Sequence, residues 1–190
     1  MKKQVLAIIA LAIMVSISSN AQNNSGRFGI ELTGGASFAT QELGGNDLNT
    51  GAGFEALLHY RVLPHTGLYA GWGWNRFAAD NNLDYEETGY VMGVQFKHPI
   101  GTSPVAYYLR AGALYNHIEV ENEHGDIIGD TGHGWGWQAA GGVDIPLGSG
   151  WSLAPGVKFN SLSRELDEDG VKTNLNLSYF SARLGVVKVF

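Results

Sequence analysis

Three features of the 190-residue sequence predict an all-β fold, an antiparallel up-and-down barrel of eight strands. Apolar and polar residues alternate with period two through most of the chain, the pattern of strands with one face in an apolar phase. The connections between these runs are short and long by turns. The last run reaches the final residue: Phe180, Ala182, Leu184, Val186, Lys188 and Phe190 fall on one face, with Tyr179, Ser181, Arg183, Gly185, Val187 and Val189 on the other. A terminus frays unless something holds it, and a long strand ending on an exposed Phe is rare in a soluble protein.

The chain begins with a different logic. Lys2 and Lys3 precede an apolar stretch from Val5 to Ile17, followed by small residues at Ser19-Asn20-Ala21. The apolar stretch is shorter than the ~20 residues of a membrane helix, so 1–21 reads as a cleavable signal peptide and 22–190 as one β-barrel domain. Losing Lys2 and Lys3 takes the formal charge from -6 to -8. So acidic a chain excludes nucleic acid as a partner, because phosphate binding needs clustered Lys and Arg. The absence of Cys excludes a disulfide framework and thiolate chemistry. Glycine, 27 of 190 residues, is about twice its average ~7%, which lowers helix propensity and suits strands that bend or pack closely.

Eight alternating runs follow: Phe28–Ala39, Gly51–Val62, Gly67–Phe77, Gly89–His98, Val105–Val120, His133–Ile145, Trp151–Leu162 and Leu175–Phe190. Leu63–Thr66, Pro99–Pro104 and Pro146–Gly150 are short and rich in turn formers. The intervening Thr40–Thr50, Ala78–Thr88, Glu121–Gly132 and Ser163–Asn174 are longer and polar. All of the 18 acidic residues except Glu31, Glu55 and Asp144 lie in or beside these long segments. A charge in hydrocarbon costs several kcal/mol, so this placement leaves a band whose outer face is free of charge.

Period two does not say which face is inside, and a lipocalin-like soluble barrel puts its apolar face inward. The terminal Phe190, the short and long connections, and the aromatic residues at strand ends favour a barrel that crosses a membrane. Trp72, Trp74, Trp135 and Trp137 fit an aromatic girdle at the outer interface, and Trp151 one at the inner rim. The two GWGW tracts are then girdle tryptophans beside glycines that allow close packing, not a ligand box. The opposite face carries Glu31, Glu55, Arg61, Lys97, Arg110, Asp144, Lys158 and Arg183. These predict a paired polar network filling the barrel interior, since an unpaired buried charge is costly.

The terminal strand closing on Phe190 resembles the insertion signal of bacterial outer-membrane barrels. The whole mature chain is similar to small OmpA- and OmpX-type eight-stranded barrels, and most of all to the porin-family outer membrane beta-barrel domain. That resemblance implies residence in the outer membrane of a Gram-negative cell, in contact with lipid and lipopolysaccharide, and insertion by the barrel-assembly machinery. It implies no cofactor. Two departures stand out: Lys188 faces lipid, where the rim allows it to snorkel, and Pro155 removes a ladder donor, which predicts a bulge or bend assisted by Gly156.

No catalytic or metal-ligating set emerges from residue spacing. His117, His124 and His133 bracket the acidic third loop without a zinc signature. Glu165-x-Asp167-x-Asp169-Gly170 resembles the start of a calcium loop, but Asn176 stands at the twelfth position. The expectation is a non-enzymatic barrel with a side-chain-filled lumen, whose acidic loops serve envelope structure or adhesion and offer sites for a surface ligand or a divalent cation. The alternatives are a narrow solute channel and an outer-leaflet lipid-modifying enzyme. Against the enzyme, His59 and His98 sit at the inner ends of their strands, away from Ser161 and Ser163.

Overall fold

In the computed structural model, residues 26–79, 82–168 and 171–190 are described, and the expected leader lies outside them. The strands are β1 (Phe28–Ala39), β2 (Gly51–Arg61), β3 (Thr66–Ala78), β4 (Asp84–Pro99), β5 (Ala106–Glu121), β6 (Ile127–Asp130), β7 (Gly134–Gly148), β8 (Trp151–Glu168) and β9 (Val171–Val189). All except β6 pair antiparallel with a neighbour on each side, in the order β1-β2-β3-β4-β5-β7-β8-β9, and β9 returns to β1. Closure satisfies every edge, which is what lets a sheet lie in hydrocarbon. The closing seam runs from Ala39↔Tyr179 to Gly29↔Val189, and the Phe190 N–H donates to the Phe28 carbonyl at 2.9 Å.

The apolar face looks outward. Leu32, Leu58, Leu68, Val94, Leu109, Val157 and Leu184 are all more than half exposed. On the opposite face, Glu31, Glu55, Gln138, Lys158 and Arg183 are buried. This is the reverse of a soluble barrel, and it follows from a solvent that is itself apolar. Trp135, Trp137 and Trp151 stand well out from the barrel, Trp72 less so, and Trp74 is partly covered. Lys188 reaches the Ser149 carbonyl at 2.7 Å over the Trp151 ring, at the inner rim.

Several strands are much longer than the ~9–11 residues that cross a bilayer: β4 and β5 have 16 residues, β8 has 18 and β9 has 19. Of the expected long loops, the fourth is therefore strand in its described residues and the second and third are strand in part, while Thr40–Thr50 stays a loop. Residues 84–88 belong to β4, β8 and β9 are paired as far as Glu168↔Val171, and the third loop folds β6 back onto β5. The sequence hid this because the polarity of the faces inverts at the membrane boundary. Above it, the inward positions Phe77, Tyr85, Ile118, Val120, Leu166, Leu175 and Leu177 are buried and apolar, and Leu43 from the β1–β2 connection caps them. Their outward neighbours Arg76, Glu86, Glu119, Glu165 and Asn176 are polar. Once water lies outside, burial of apolar surface again favours the interior.

Pro155 makes no bulge. Pairing of β8 with β7 lapses between Gly142↔Gly156 and Ile145↔Leu153, yet the register is the same on both sides, and Pro155↔Leu184 continues the ladder to β9. The ladder simply skips two residue pairs, Val143 with Pro155 and Asp144 with Ala154. The register shift lies instead at Pro146/Gly148, beside a tight turn in which Ser149 and Gly150 both have positive φ (52° and 76°). Luminal glycines make room for long side chains: a Cβ at Gly142 or Gly156 would lie 2.6 or 2.3 Å from the Tyr108 hydroxyl.

Candidate functional site: the lumen and the outer rim

From the inner mouth upward, the lumen is a stack of polar rungs under an apolar cap. The inner mouth opens into a vestibule of about 400 Å³ lined by Arg61, Lys97, Tyr108, Arg110 and Asp144 among others. Lys97 pairs there with Asp144 at 2.9 Å, and Arg61 sits at the rim. The vestibule floor is Glu31. Arg110 donates to both of its oxygens (2.5 and 3.2 Å), and the His59 ring nitrogen lies 3.0 Å from Oε2. Gln95 accepts from Arg110 Nε at 2.7 Å, and the guanidinium lies 4.5 Å from the Tyr108 ring centre, a cation–π contact.

One rung higher, Glu55 accepts from Lys158 Nζ at 2.6 Å and from Gln138 Nε2 at 2.9 Å. Free space between these two rungs shrinks to about 20 Å³. Arg183 follows, donating to Asn75 Oδ1 at 2.5 Å. The top polar rung is centred on Glu87. It accepts from Asn75 (2.9 Å), the Tyr179 hydroxyl (2.7 Å) and Asn116, while Tyr179 accepts from Asn160 at 2.7 Å. Arg164 straps this end shut, donating to the carbonyls of Asn116, Ser163, Gly134 and Trp135.

All eight residues expected in the interior network thus lie inside the barrel or at its inner mouth, and six of them are joined as Glu31–Arg110, Glu55–Lys158 and Lys97–Asp144. Glu87, Tyr179, Asn116 and Arg164 escaped the sequence reading. Glu87 was grouped with the loop acids, although it continues the inward parity of Tyr85, Gly89 and Val91 and is 1% exposed. That parity was the available signal.

The outer rim carries a second cluster. Strand register sets Trp72, Tyr90, Tyr115 and Trp135 abreast on the outward face. The next outward row is Trp74, Thr88 and His117, and the one above it is Arg76, Glu86, Glu119 and Asp130. His117 Nδ1 lies 3.0 Å from Asp130 Oδ1 and 3.9 Å from Glu119 Oε1. Partial burial alone would raise Asp130, but hydrogen bonds from His117 and the Gly132 N–H outweigh it and hold the carboxyl below its ordinary range. Burial and the neighbouring Glu86 push Glu121 up, while the hydrogen bond to Asp84 raises Arg76. The suspected calcium loop is paired strand as far as Glu168, with Glu165 held by Lys172 at 2.6 Å; Asp169 and Gly170 lie outside the described residues.

A closed antiparallel barrel with an apolar outer band, aromatic rims and charged pairs along its axis is an integral membrane protein that crosses the bilayer on strands. The chain belongs to the outer membrane protein beta-barrel domain family, whose model matches residues 7–186, and it is an outer-membrane protein. Solved structures with the same fold include Neisserial surface protein A (17% identity, covering 89% of this chain and 100% of that one, TM-score 0.63). Outer Membrane Protein W of E. coli is similar at 13% identity (89% and 100% covered, TM-score 0.55). So is OprG of Pseudomonas aeruginosa, at 13% identity (88% and 98%, TM-score 0.53). At these identities the likeness is one of fold. No curated protein matches the chain by sequence.

Proposed function

We propose that the protein is a non-enzymatic, non-conducting barrel that presents its acidic outer end for envelope structure or surface interaction. The observation that carries this reading is the apolar stopper of Leu43, Phe77, Tyr85, Ile118, Leu175 and Leu177 above the Glu87 network. An ion entering such a segment loses its hydration without gaining partners. Lipid and lipopolysaccharide surround the barrel in this reading, and the assembly machinery acts on the β1–β9 seam that ends at Phe190. A surface ligand or divalent cation meets the acidic rim. Single-channel recording in planar bilayers tests the closed state, and large stable openings overturn it. Loss of cell binding to host matrix on deleting residues 41–48 supports adhesion, whereas unchanged binding leaves the structural role. Altered lipid A mass spectra on overexpression overturn the non-enzymatic reading.

The vestibule of about 400 Å³ favours a second reading, in which small solutes enter from the periplasmic side. The constriction of about 20 Å³ above it opposes passage.

A further inference from the structure

We propose that His117, Glu119 and Asp130 form a binding site for a divalent transition-metal ion, with Zn²⁺ as its fitting occupant, which pins the β6 hairpin to β5 at the outer membrane surface. One ligand atom from each residue falls within 4.8 Å of the others. Tetrahedral zinc at ~2.0–2.1 Å holds its ligand atoms roughly 3.3–3.4 Å apart. The separations of 3.0 and 3.9 Å from His117 Nδ1 bracket that value, so small side-chain rotations complete the site.

The arrangement is built in advance. Gly132 N–H donates to Asp130 Oδ1 at 2.8 Å, and the following turn is strapped to β5 by Ile118 N–H to Thr131 Oγ1 (2.9 Å) and Thr131 N–H to the Ile118 carbonyl (3.1 Å). His133 stacks on the His117 ring at 4.4 Å and 17°, fixing its plane. Outer contacts of this kind orient ligands and raise affinity.

Charge placement points to a cation independently. Glu119 stands directly across from Asp130 on β6 and from Glu86 on β4. Like charges in opposed cross-strand positions repel. Arg76, the cation at the end of this row, is 2.5 Å from Asp84 and 3.9 Å from Glu86, and it leaves the Glu119–Asp130 end to His117. A metal ion neutralises both carboxylates and takes the place of the Nδ1 proton, the imidazole then carrying its hydrogen on Nε2. The imidazole selects a borderline transition ion over Ca²⁺ or Mg²⁺, which prefer oxygen donors throughout.

The test is calorimetric titration of ZnCl₂ into the untagged, chelator-treated, refolded barrel in non-ionic detergent, with folding checked by heat-modifiable gel migration. One saturable equivalent is expected, undiminished by millimolar Ca²⁺. His117→Gln and Asp130→Asn each weaken it by more than the ~10–100-fold that loss of an outer contact costs, while His124→Gln, on an exposed side chain, leaves it unchanged. Zinc also slows amide exchange across 119–130 in the parent chain but not in His117→Gln. Absence of saturable uptake, equal binding by both ligand variants, or displacement by Ca²⁺ overturns the proposal. A variant that fails the gel check is replaced by Glu119→Gln, judged by the same criterion.

Discussion

The Glu55–Lys158 pair makes an asymmetric prediction. Both side chains are almost fully buried, at 7% and 4% exposure, and their charged atoms are 2.6 Å apart. Breaking such a pair from one side costs about 3–5 kcal/mol, because a charge stays behind without a counterion. The two sides are unequal here. Lys158→Met leaves Glu55 with the Gln138 hydrogen bond and with Arg183 as a nearby cation. Glu55→Gln leaves Lys158 beside Arg183, a cation that already repels it, with Glu87 as the remaining nearby anion and no hydrogen-bonded counterion. Lys158→Met should therefore fall near the lower bound, about 3 kcal/mol, and Glu55→Gln near the upper, about 5 kcal/mol. The double variant should return to within about 1 kcal/mol of the parent, since neither charge remains. Urea titration of the barrel refolded in lipid vesicles, followed by tryptophan emission, measures all three. A double variant as unstable as the worse single, or Lys158→Met costing more than Glu55→Gln, would refute the reasoning.

Tyr179→Phe removes a hydroxyl that joins Glu87, Asn75 and Asn160. The same urea titration should show a loss of about 1–3 kcal/mol from buried groups left unpaired. Leu43→Ala hollows the outer cap, where Leu43 is fully buried. It should cost about 2 kcal/mol, the low end for a core leucine because a loop can settle into the space. Proteinase K should then cut the β1–β2 connection faster on intact cells, while conductance stays absent because the Glu87 rung remains. Phe190→Ala removes the ring that lies 6.2 Å from Phe28 at the seam. Heat-modifiable protein in the outer-membrane fraction should fall several-fold, although the purified variant still refolds in detergent.

Much of the architecture was readable because a membrane imposes a simple rule on strands. Leu32 and Glu31, or Val157 and Lys158, are adjacent residues with opposite fates, and period two separates them without knowledge of their partners. The same rule misled above the bilayer. Tyr85, Glu87 and Leu166 lie in segments whose polar average reads as loop, yet their parity points inward. The solvent had changed from lipid to water, and with it the face that carries apolar residues. Pro155 shows a different gap: a lost donor was evident, but whether the strand bulges or skips a contact depends on its neighbours.

The chain by itself therefore determined the number of strands that close the barrel, the outward and inward faces of the membrane band, and the identity of the charges sent into the lumen. Local alternation sorts the two faces, and the terminal Phe190, the short and long connections and the aromatic strand ends say which of them looks outward. The folded barrel decided which charges meet, because Glu31 and Arg110 are 79 positions apart and Glu55 and Lys158 are 103. It also decided that β6 turns back to set Asp130 beside Glu119 and His117. Pairings across a lumen or a hairpin depend on register and closure, which belong to the closed sheet as a whole.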